Sequence, residues 1–376
     1  MIKYLGEFKM KRKGSFIKRM LCLVLSIVLT PLFSLTVFAA EANYTDDVPY
    51  EFPVVPNTKE WESLRTRQAM LDVCQIPEDK LQSMTTGALL ETVLAYPLIT
   101  DYFAYNSIED ACNIMYNEFN GFQELFSRKD LSSVLTEKYD ETEILSAARA
   151  ETATPKEFFA ASTIEYLFVC DELLNNTVPT SEFYEINAVK SAERDEMGIY
   201  SDVSNVYDFC NQNGIEAKDA GENWVPVTSG TVKTPRGNNV PEVYTRSPEL
   251  TRAEKTSINQ DKNAKYPLAK RVAAPTVNYN CHSYAWYMQS LSNPYWIGKY
   301  NTPSIYITDG SYRQISGTPY AGVKVWYNSA DHSAVCTGTI ENGSYYVTSK
   351  WGMCGVYEHL YNYGPYGGSV ALYVQN

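Results

Sequence analysis

The side chains best suited to chemistry in this chain, cysteine and histidine, come together near its C-terminus. All three histidines, His282, His332 and His359, follow residue 270. Residues 278–287 carry Cys281 after two asparagines and before an apolar stretch, a pattern typical of a loop that enters a helix. Exposed N–H groups in the first turn of a helix stabilise a thiolate. The sequence therefore predicts that Cys281 is a nucleophile.

A nucleophilic thiol needs a base, and His332 is the predicted one. His282 follows Cys281 directly, and neighbouring residues on a helix do not face each other. His332 instead begins a predicted strand, residues 332–337, after a turn at residues 328–331. A cysteine on a helix and a histidine at the head of a strand can meet at the edge of a sheet, which is the pairing that nucleophilic catalysis requires.

A third residue would orient the imidazole of His332. The loop length of the hairpin that follows His332 determines which residues share its face of the sheet. The sequence Glu-Asn-Gly-Ser between two strand patterns predicts a tight turn. A two-residue loop puts Ser349 and Trp351 on the face of His332, whereas a three-residue loop puts Thr348 and Lys350 there. Ser349 can accept the ring N–H, but Lys350 has no acceptor. Ser349 is therefore the predicted third catalytic residue.

Acyl transfer also needs donors for the oxyanion of its tetrahedral intermediate. The backbone N–H of Cys281 and the side-chain amide of Asn280 or Asn278 have the right chemistry. The alternative for both asparagines is turn formation before the helix. We expect His282 and His359 to be structural or to face the substrate, and Trp351 to face the substrate.

The cysteines and histidines do not predict a metal site. Without Cys22, which lies in an N-terminal apolar run, seven cysteines remain, so at least one thiol is unpaired in an exported monomer. No CxxC pair occurs, and the spacing of cysteine and histidine matches no zinc framework. We therefore predict neither a metal nor another cofactor.

The elements that must position these residues predict an α+β fold with two main regions. Residues 57–216 have helical patterns and predict an N-terminal all-α bundle or array. Residues 217–270 form a polar linker that contains Pro235, Pro241, Pro248 and Pro267 and a possible β hairpin. Residues 271–376 hold nine charged residues, 16 of the 30 tyrosines and strand patterns. They predict a domain in which a helix carries the cysteine and an antiparallel sheet carries the histidine.

The N-terminus and the charge of the chain limit its location and partners. Residues 1–39 have the basic segment, apolar run and small-x-small end of a signal peptide, and residues 40–56 form a short segment after it. An uncleaved membrane anchor is the alternative, because the run can span a bilayer once. Beyond residue 39, 25 basic and 43 acidic residues remain, which excludes nucleic acid as a partner. No later segment predicts a membrane span.

The order of these motifs resembles the papain-like NlpC/P60 and CHAP superfamily of bacterial cell-wall cysteine amidases and peptidases. The motifs are Tyr-Asn-Cys281-His-Ser-Tyr-Ala-Trp, a Gly-x-Lys-Val strand, His332-Ser-Ala-Val and Ser349-Lys-Trp-Gly. The whole chain also resembles a group of secreted bacterial proteins without an assigned function. The superfamily resemblance covers about residues 275–376 and implies a papain-like domain with Cys281 as nucleophile and His332 as base. The sequence departs at the third position, where the superfamily usually has His, Asn, Gln or an acid.

The resemblance implies a secreted thiol hydrolase associated with the cell wall. Its substrate would be an amide bond in a peptide, or in a stem peptide or cross-link of peptidoglycan, cleaved through an acyl-enzyme on Cys281. The alternative is a non-catalytic cell-surface module whose tyrosines and tryptophans bind glycan or protein. In that case Cys281 would be a structural thiol and His332 a core histidine.

Overall fold

The computed structural model describes residues 44–150, 152–198, 223–298 and 303–376. The predicted signal peptide, residues 1–39, lies outside these ranges and stays a prediction. Within them, no helix has the length and apolar character needed to cross a membrane. The protein combines an N-terminal helical region with C-terminal antiparallel sheets, so the predicted α+β class is confirmed.

The helical region consists of short helices followed by two long ones. In chain order these are α1 Lys59–Glu62, α2 Arg67–Val73, α3 Glu78–Ser83, α4 Thr86–Ala95, a 3-10 helix Ile99–Ala104, α5 Ile108–Glu118, α6 Asn120–Leu125, α7 Leu131–Glu141, α8 Ala147–Ala150, α9 Pro155–Phe158, α10 Ala160–Asn175 and α11 Ser181–Met197. Cys112 and Cys170 form a disulfide that joins α5 to α10. The free cysteines of the described ranges are all buried: Cys74, Cys281, Cys336 and Cys354.

Side-chain caps explain where these helices begin. Thr154 and Glu157 form a capping box at α9, with Pro155 at its first position. At α1, Thr58 and not the preceding Asn57 accepts a hydrogen bond from the first turn. Asn57 has a φ of 70°, so it turns the chain before the helix begins.

The segment predicted as a linker contains regular structure where it is described. It carries β1 Asn223–Pro226, β2 Val243–Ser247 and α12 Arg252–Lys265. Strand β4 Trp296–Ile297 joins β1 and β2 in a three-stranded antiparallel sheet with the order β1-β2-β4. A capping box of Thr251 and Glu254 begins α12.

A seven-stranded antiparallel sheet forms the C-terminal region and positions the histidines. Its order is β3-β9-β8-β7-β6-β10-β5, and α13 Ser304–Thr308 precedes β5. The strands are β3 Lys270–Ala273, β5 Tyr312–Ile315, β6 Lys324–Tyr327, β7 His332–Glu341, β8 Ser344–Lys350, β9 Val356–Leu360 and β10 Val370–Gln375. His332 is the first residue of β7, as predicted, and lies opposite Tyr327 of β6.

The β7–β8 hairpin has the two-residue loop that was one of the two alternatives. Glu341 pairs with Ser344, and Asn342 and Gly343 both have positive φ, as this tight turn requires. Farther from the turn the register shifts, because β7 contains two extra residues between Cys336 and Ile340. A shift of two residues keeps each side chain on its face, so Ser349 stays on the face of the sheet predicted for the two-residue loop.

A buried ionic cluster joins the helical region to α12. Asp101, in the 3-10 helix, accepts from Arg67 at 2.7 Å and from Lys262 at 2.9 Å. Lys265 lies 3.1 Å from Asp261 and also near Asp101. These cations lower the pKa of the Asp101 carboxyl although burial alone would raise it. One hydrophobic core accordingly contains residues of both the helices and the large sheet.

Candidate active site

Cys281 lies at the start of a helical turn, as the sequence predicts. Asn280 precedes it, and the Asn280 side-chain oxygen accepts the N–H of Ser283 at 3.0 Å. The turn continues as a π-helix, Ser283–Tyr287. Cys281 is 1% exposed, and its thiol lies beside the side-chain amide of Asn106.

Asn280 uses its whole side-chain amide to hold this turn in place. Its oxygen also accepts the N–H of Ile297 at 3.2 Å. Its nitrogen donates to the carbonyl oxygen of Ile297 at 2.8 Å and to the Asn106 side-chain oxygen at 3.3 Å. These bonds fit the structural alternative for Asn280, whereas its predicted part in binding an oxyanion stays a prediction.

Asn106 is the residue at this site that sequence reasoning missed. It follows the 3-10 helix by two residues and is 8% exposed. Its side-chain nitrogen lies 3.4 Å from the Cys281 sulfur and 3.1 Å from Nε2 of His282. The same nitrogen donates to the carbonyl oxygen of Asp331 at 2.8 Å. No local pattern marks this residue, because it belongs to the helical region and not to the motifs around Cys281.

His282 contacts the same amide as Cys281, although the two residues are neighbours in the chain. Its Nδ1 lies 2.9 Å from the Ser333 hydroxyl and its Nε2 lies 3.3 Å from the Asp331 carboxylate. Both ring nitrogens therefore have an acceptor to which an imidazolium can donate. Burial lowers the pKa of His282, but the negative charges of Cys281 and Asp331 raise it well above its ordinary value. His282 is thus held ready to carry a positive charge beside the thiol.

His332 has a different environment. It is 1% exposed, and its ring stacks on Tyr366 with 3.4 Å between ring centroids and 9° between planes. Within the described ranges, neither ring nitrogen has a hydrogen-bond partner. Burial lowers the pKa of His332 well below its ordinary value, and the charges of His359 and His282 lower it further. His332 is therefore a neutral ring at neutral pH.

Ser349 and Trp351 meet His359 rather than His332. The Ser349 hydroxyl lies 2.9 Å from Nε2 of His359 and accepts from Nε1 of Trp351 at 3.0 Å. Nδ1 of His359 lies 2.8 Å from the carbonyl oxygen of Leu360. Because only a protonated Nδ1 can donate to that oxygen, Ser349 donates to Nε2 of the neutral ring. Burial lowers the pKa of His359 to about 4.

Tyr366 separates His332 from a cavity of about 500 Å³. The cavity is lined by Tyr366 and by polar residues of the helical region, among them Arg67, Gln75 and Glu118. The Tyr366 hydroxyl donates to the carbonyl oxygen of Ala104 at 2.5 Å, which fixes the ring in this position. The exposed edge of the cluster is elsewhere, at Asp331, whose side chain is 16% exposed.

The chain matches no known family model, no curated protein and no solved structure. The site must therefore be interpreted from its own geometry. No group of three or more His, Cys, Asp or Glu side chains suited to a metal ion occurs in the described ranges. What the cluster offers is a thiol, an imidazole paired with a carboxylate, and an amide donor, which are the groups that acyl transfer uses.

Proposed function

We propose that the protein is a cysteine hydrolase that cleaves an amide bond, with Cys281 as its nucleophile. The observation that carries the proposal is the convergence of the Cys281 thiol and the His282 imidazole on Asn106, with Asp331 beside the imidazole. A buried structural thiol needs no such polar surroundings, since cysteine packs as a small apolar side chain.

The reaction proceeds through a thioester. The imidazole takes the thiol proton, and the Cys281 sulfur then attacks the carbonyl carbon, so that a C–S bond forms and the carbonyl electrons move to oxygen. The C–N bond breaks when these electrons return, and the leaving amine takes the proton from the imidazolium. Attack by water on the thioester releases the acid and restores the thiol.

Two histidines compete for the role of base. The resemblance to the papain-like superfamily implies His332, at the head of its strand. The contacts support His282, because the charge of Asp331 favours its imidazolium form and both of its nitrogens have acceptors. His332 has neither feature in this conformation. We therefore assign the base to His282 and retain His332 as the alternative that the experiment below distinguishes.

The substrate class rests on the resemblance and on charge. A secreted enzyme of this type would act on a peptide, or on a stem peptide or cross-link of peptidoglycan, at the cell wall. The 43 acidic and 25 basic residues beyond position 39 would repel anionic wall polymers. A neutral or cationic peptide segment is therefore the better substrate.

The test is the pH dependence of iodoacetamide labelling at Cys281, followed by mass spectrometry. We expect Cys281 to be labelled fast at neutral pH and His282→Ala to abolish this reactivity. Cys354 is the internal control, since it is equally buried and burial raises the pKa of its thiol to about 11. Loss of reactivity in His332→Ala alone would assign the base to His332.

One observation favours the alternative, a non-catalytic cell-surface module. Cys281 and His282 are each 1% exposed, so a substrate reaches them only after neighbouring side chains move aside. If Cys281 is labelled no faster than Cys354 at every pH, the thiol is structural and the hydrolase proposal is wrong. Binding assays with glycans and wall fragments would then be the next measurement.

A further inference from the structure

We propose that Asn106, in the helical region, is a catalytic residue that donates a hydrogen bond to the oxyanion. This inference rests on the proposed hydrolase function and adds a donor that the motifs around Cys281 do not contain. It also gives the helical region a role in the reaction itself.

The first step of the argument is the position of the amide. The Asn106 nitrogen lies 3.4 Å from the Cys281 sulfur. When the sulfur bonds to a carbonyl carbon, the oxygen on that carbon lies next to the sulfur, within reach of this nitrogen. Donors that stabilise an oxyanion lie about 2.7–3.1 Å from it. The backbone N–H of Cys281, at the start of the helical turn, is the second donor.

The second step concerns the two hydrogens of the Asn106 amide. One is used by the carbonyl oxygen of Asp331 at 2.8 Å. The other points to the region of the Cys281 sulfur and Nε2 of His282, which can accept it only while Nε2 has no proton. When Nε2 of His282 takes the thiol proton, the Asp331 carboxylate at 3.3 Å accepts the new N–H, and Nε2 ceases to be an acceptor. The second hydrogen of Asn106 thus becomes available when the oxyanion forms.

The third step is the rigidity of the amide. Its oxygen accepts from Asn280 at 3.3 Å, which together with the bond to Asp331 fixes which way the amide faces. The backbone before Asn106 is held by the loop between β8 and β9, since the N–H of Met353 donates to the carbonyl oxygen of Phe103 at 3.0 Å. A donor held in place before the reaction needs no reorganisation when the charge develops.

Asn280, the donor expected from the sequence, is less suited to this role. Its oxygen already accepts the N–H groups of Ser283 and Ile297, and its nitrogen already donates to Ile297 and Asn106. Moving its nitrogen to an oxyanion would break the bond to Ile297. Asn106 needs no such loss, because its second hydrogen has only the sulfur and Nε2 as partners.

The experiment compares two reagents that react with the same thiol. With p-nitrophenyl acetate, the sulfur attacks the acetyl carbon, an oxyanion forms, and p-nitrophenolate leaves. With iodoacetamide, the sulfur displaces iodide from a saturated carbon and no oxyanion forms. We expect Asn106→Ala to slow acylation of the full chain about 100- to 1,000-fold. Its alkylation rate at Cys281 should stay within a few-fold of the unchanged protein.

Asn113→Ala is the matched control, since Asn113 is exposed on α5 and bonds only within that helix. Both of its rates should equal those of the unchanged protein. Asn106→Leu keeps the branched shape of the side chain but removes both amide hydrogens. It should slow acylation as Asn106→Ala does, even where the smaller alanine loosens the fold. If Asn106→Ala changes the acylation rate and the alkylation rate by the same factor, the proposed role of Asn106 is wrong. The hydrolase proposal would remain intact. An unchanged protein that reacts with neither reagent would overturn both.

Discussion

The side-chain nitrogen of Asn106 lies 3.4 Å from the sulfur of Cys281, although 175 residues separate them in the chain. Around this contact, the 3-10 helix Ile99–Ala104 is held from both sides. Its Asp101 binds Arg67 of α2 and Lys262 of α12. Its last residue, Ala104, accepts a hydrogen bond from Tyr366, which belongs to the C-terminal sheet region. The helical region therefore forms one wall of the candidate active site.

Asp331→Asn tests the charge that stabilises the His282 imidazolium. Burial lowers the pKa of His282, and the charges of Cys281 and Asp331 raise it, so removing Asp331 lowers it. A raised pKa means that charged His282 stabilises the fold below its unfolded pKa, and that this contribution is lost as pH rises through the folded pKa. We expect the variant to lose the positive charge of His282 at lower pH than the unchanged protein.

NMR titration of the histidine ring protons measures this shift directly. Asp79→Asn, at an exposed position on α3, is the control and should leave the His282 titration unchanged. An unchanged titration in Asp331→Asn as well would mean that Asp331 does not interact with the ring in solution.

The lowered pKa of His359 predicts that the fold loses stability in acid. Its folded pKa of about 4 lies below the unfolded value, so its contribution is complete above about pH 6.5 and is lost as pH falls toward 4. This difference corresponds to about 3 kcal/mol. His359→Asn should flatten the dependence of the unfolding free energy on pH between 4 and 6.5, as measured by urea denaturation.

Ser349→Ala is the matched variant for that measurement. It removes the hydroxyl that bonds to Nε2 of His359 and should cost about 1–2 kcal/mol at pH 7. It leaves the titrating ring in place, so the slope with pH should remain. Equal slopes in the His359→Asn variant and the unchanged protein would show that His359 is not the group responsible.

Asp101→Asn tests the buried ionic cluster between the helical region and α12. The change leaves Arg67, Lys262 and Lys265 without their shared carboxylate, and we expect a loss of about 3–5 kcal/mol in unfolding free energy. Asp72→Asn, exposed on α2, should change it by less than about 0.5 kcal/mol. A loss of similar size in both variants would contradict a special role for the buried carboxylate.

Gly352→Ala tests the close approach between the sheet region and the 3-10 helix. Gly352 has a φ of 44°, and an added Cβ would lie 2.5 Å from the backbone of Phe103 and Ala104. We expect a loss of about 2–4 kcal/mol from strain and overlap, measured by thermal or urea unfolding. Gly87→Ala, in α4 with open space around it, should instead stabilise by about 0.5–1 kcal/mol. If Gly352→Ala left the unfolding free energy unchanged, the backbone contact between Gly352 and the 3-10 helix would be loose.

The sequence alone determined the features that depend on a few neighbouring residues. The capping box at Thr154 follows from side chains that bond to the backbone of their own turn. The helical start at Cys281 follows in the same way from Asn280. The β7–β8 loop follows from the tolerance of Asn342 and Gly343 for positive φ, although the sequence left a three-residue loop open. The two extra residues in β7 had no such local signal.

Tertiary structure decided which residues meet the thiol. The rule that neighbours on a helix face apart argued against His282, yet packing brings its ring to the same Asn106 amide that contacts Cys281. Asn106 itself could not be predicted, because its position depends on how the 3-10 helix packs against the turn before β7. Such contacts arise from the shape of a whole core, in which every side chain constrains the others, and no short stretch of sequence contains that information.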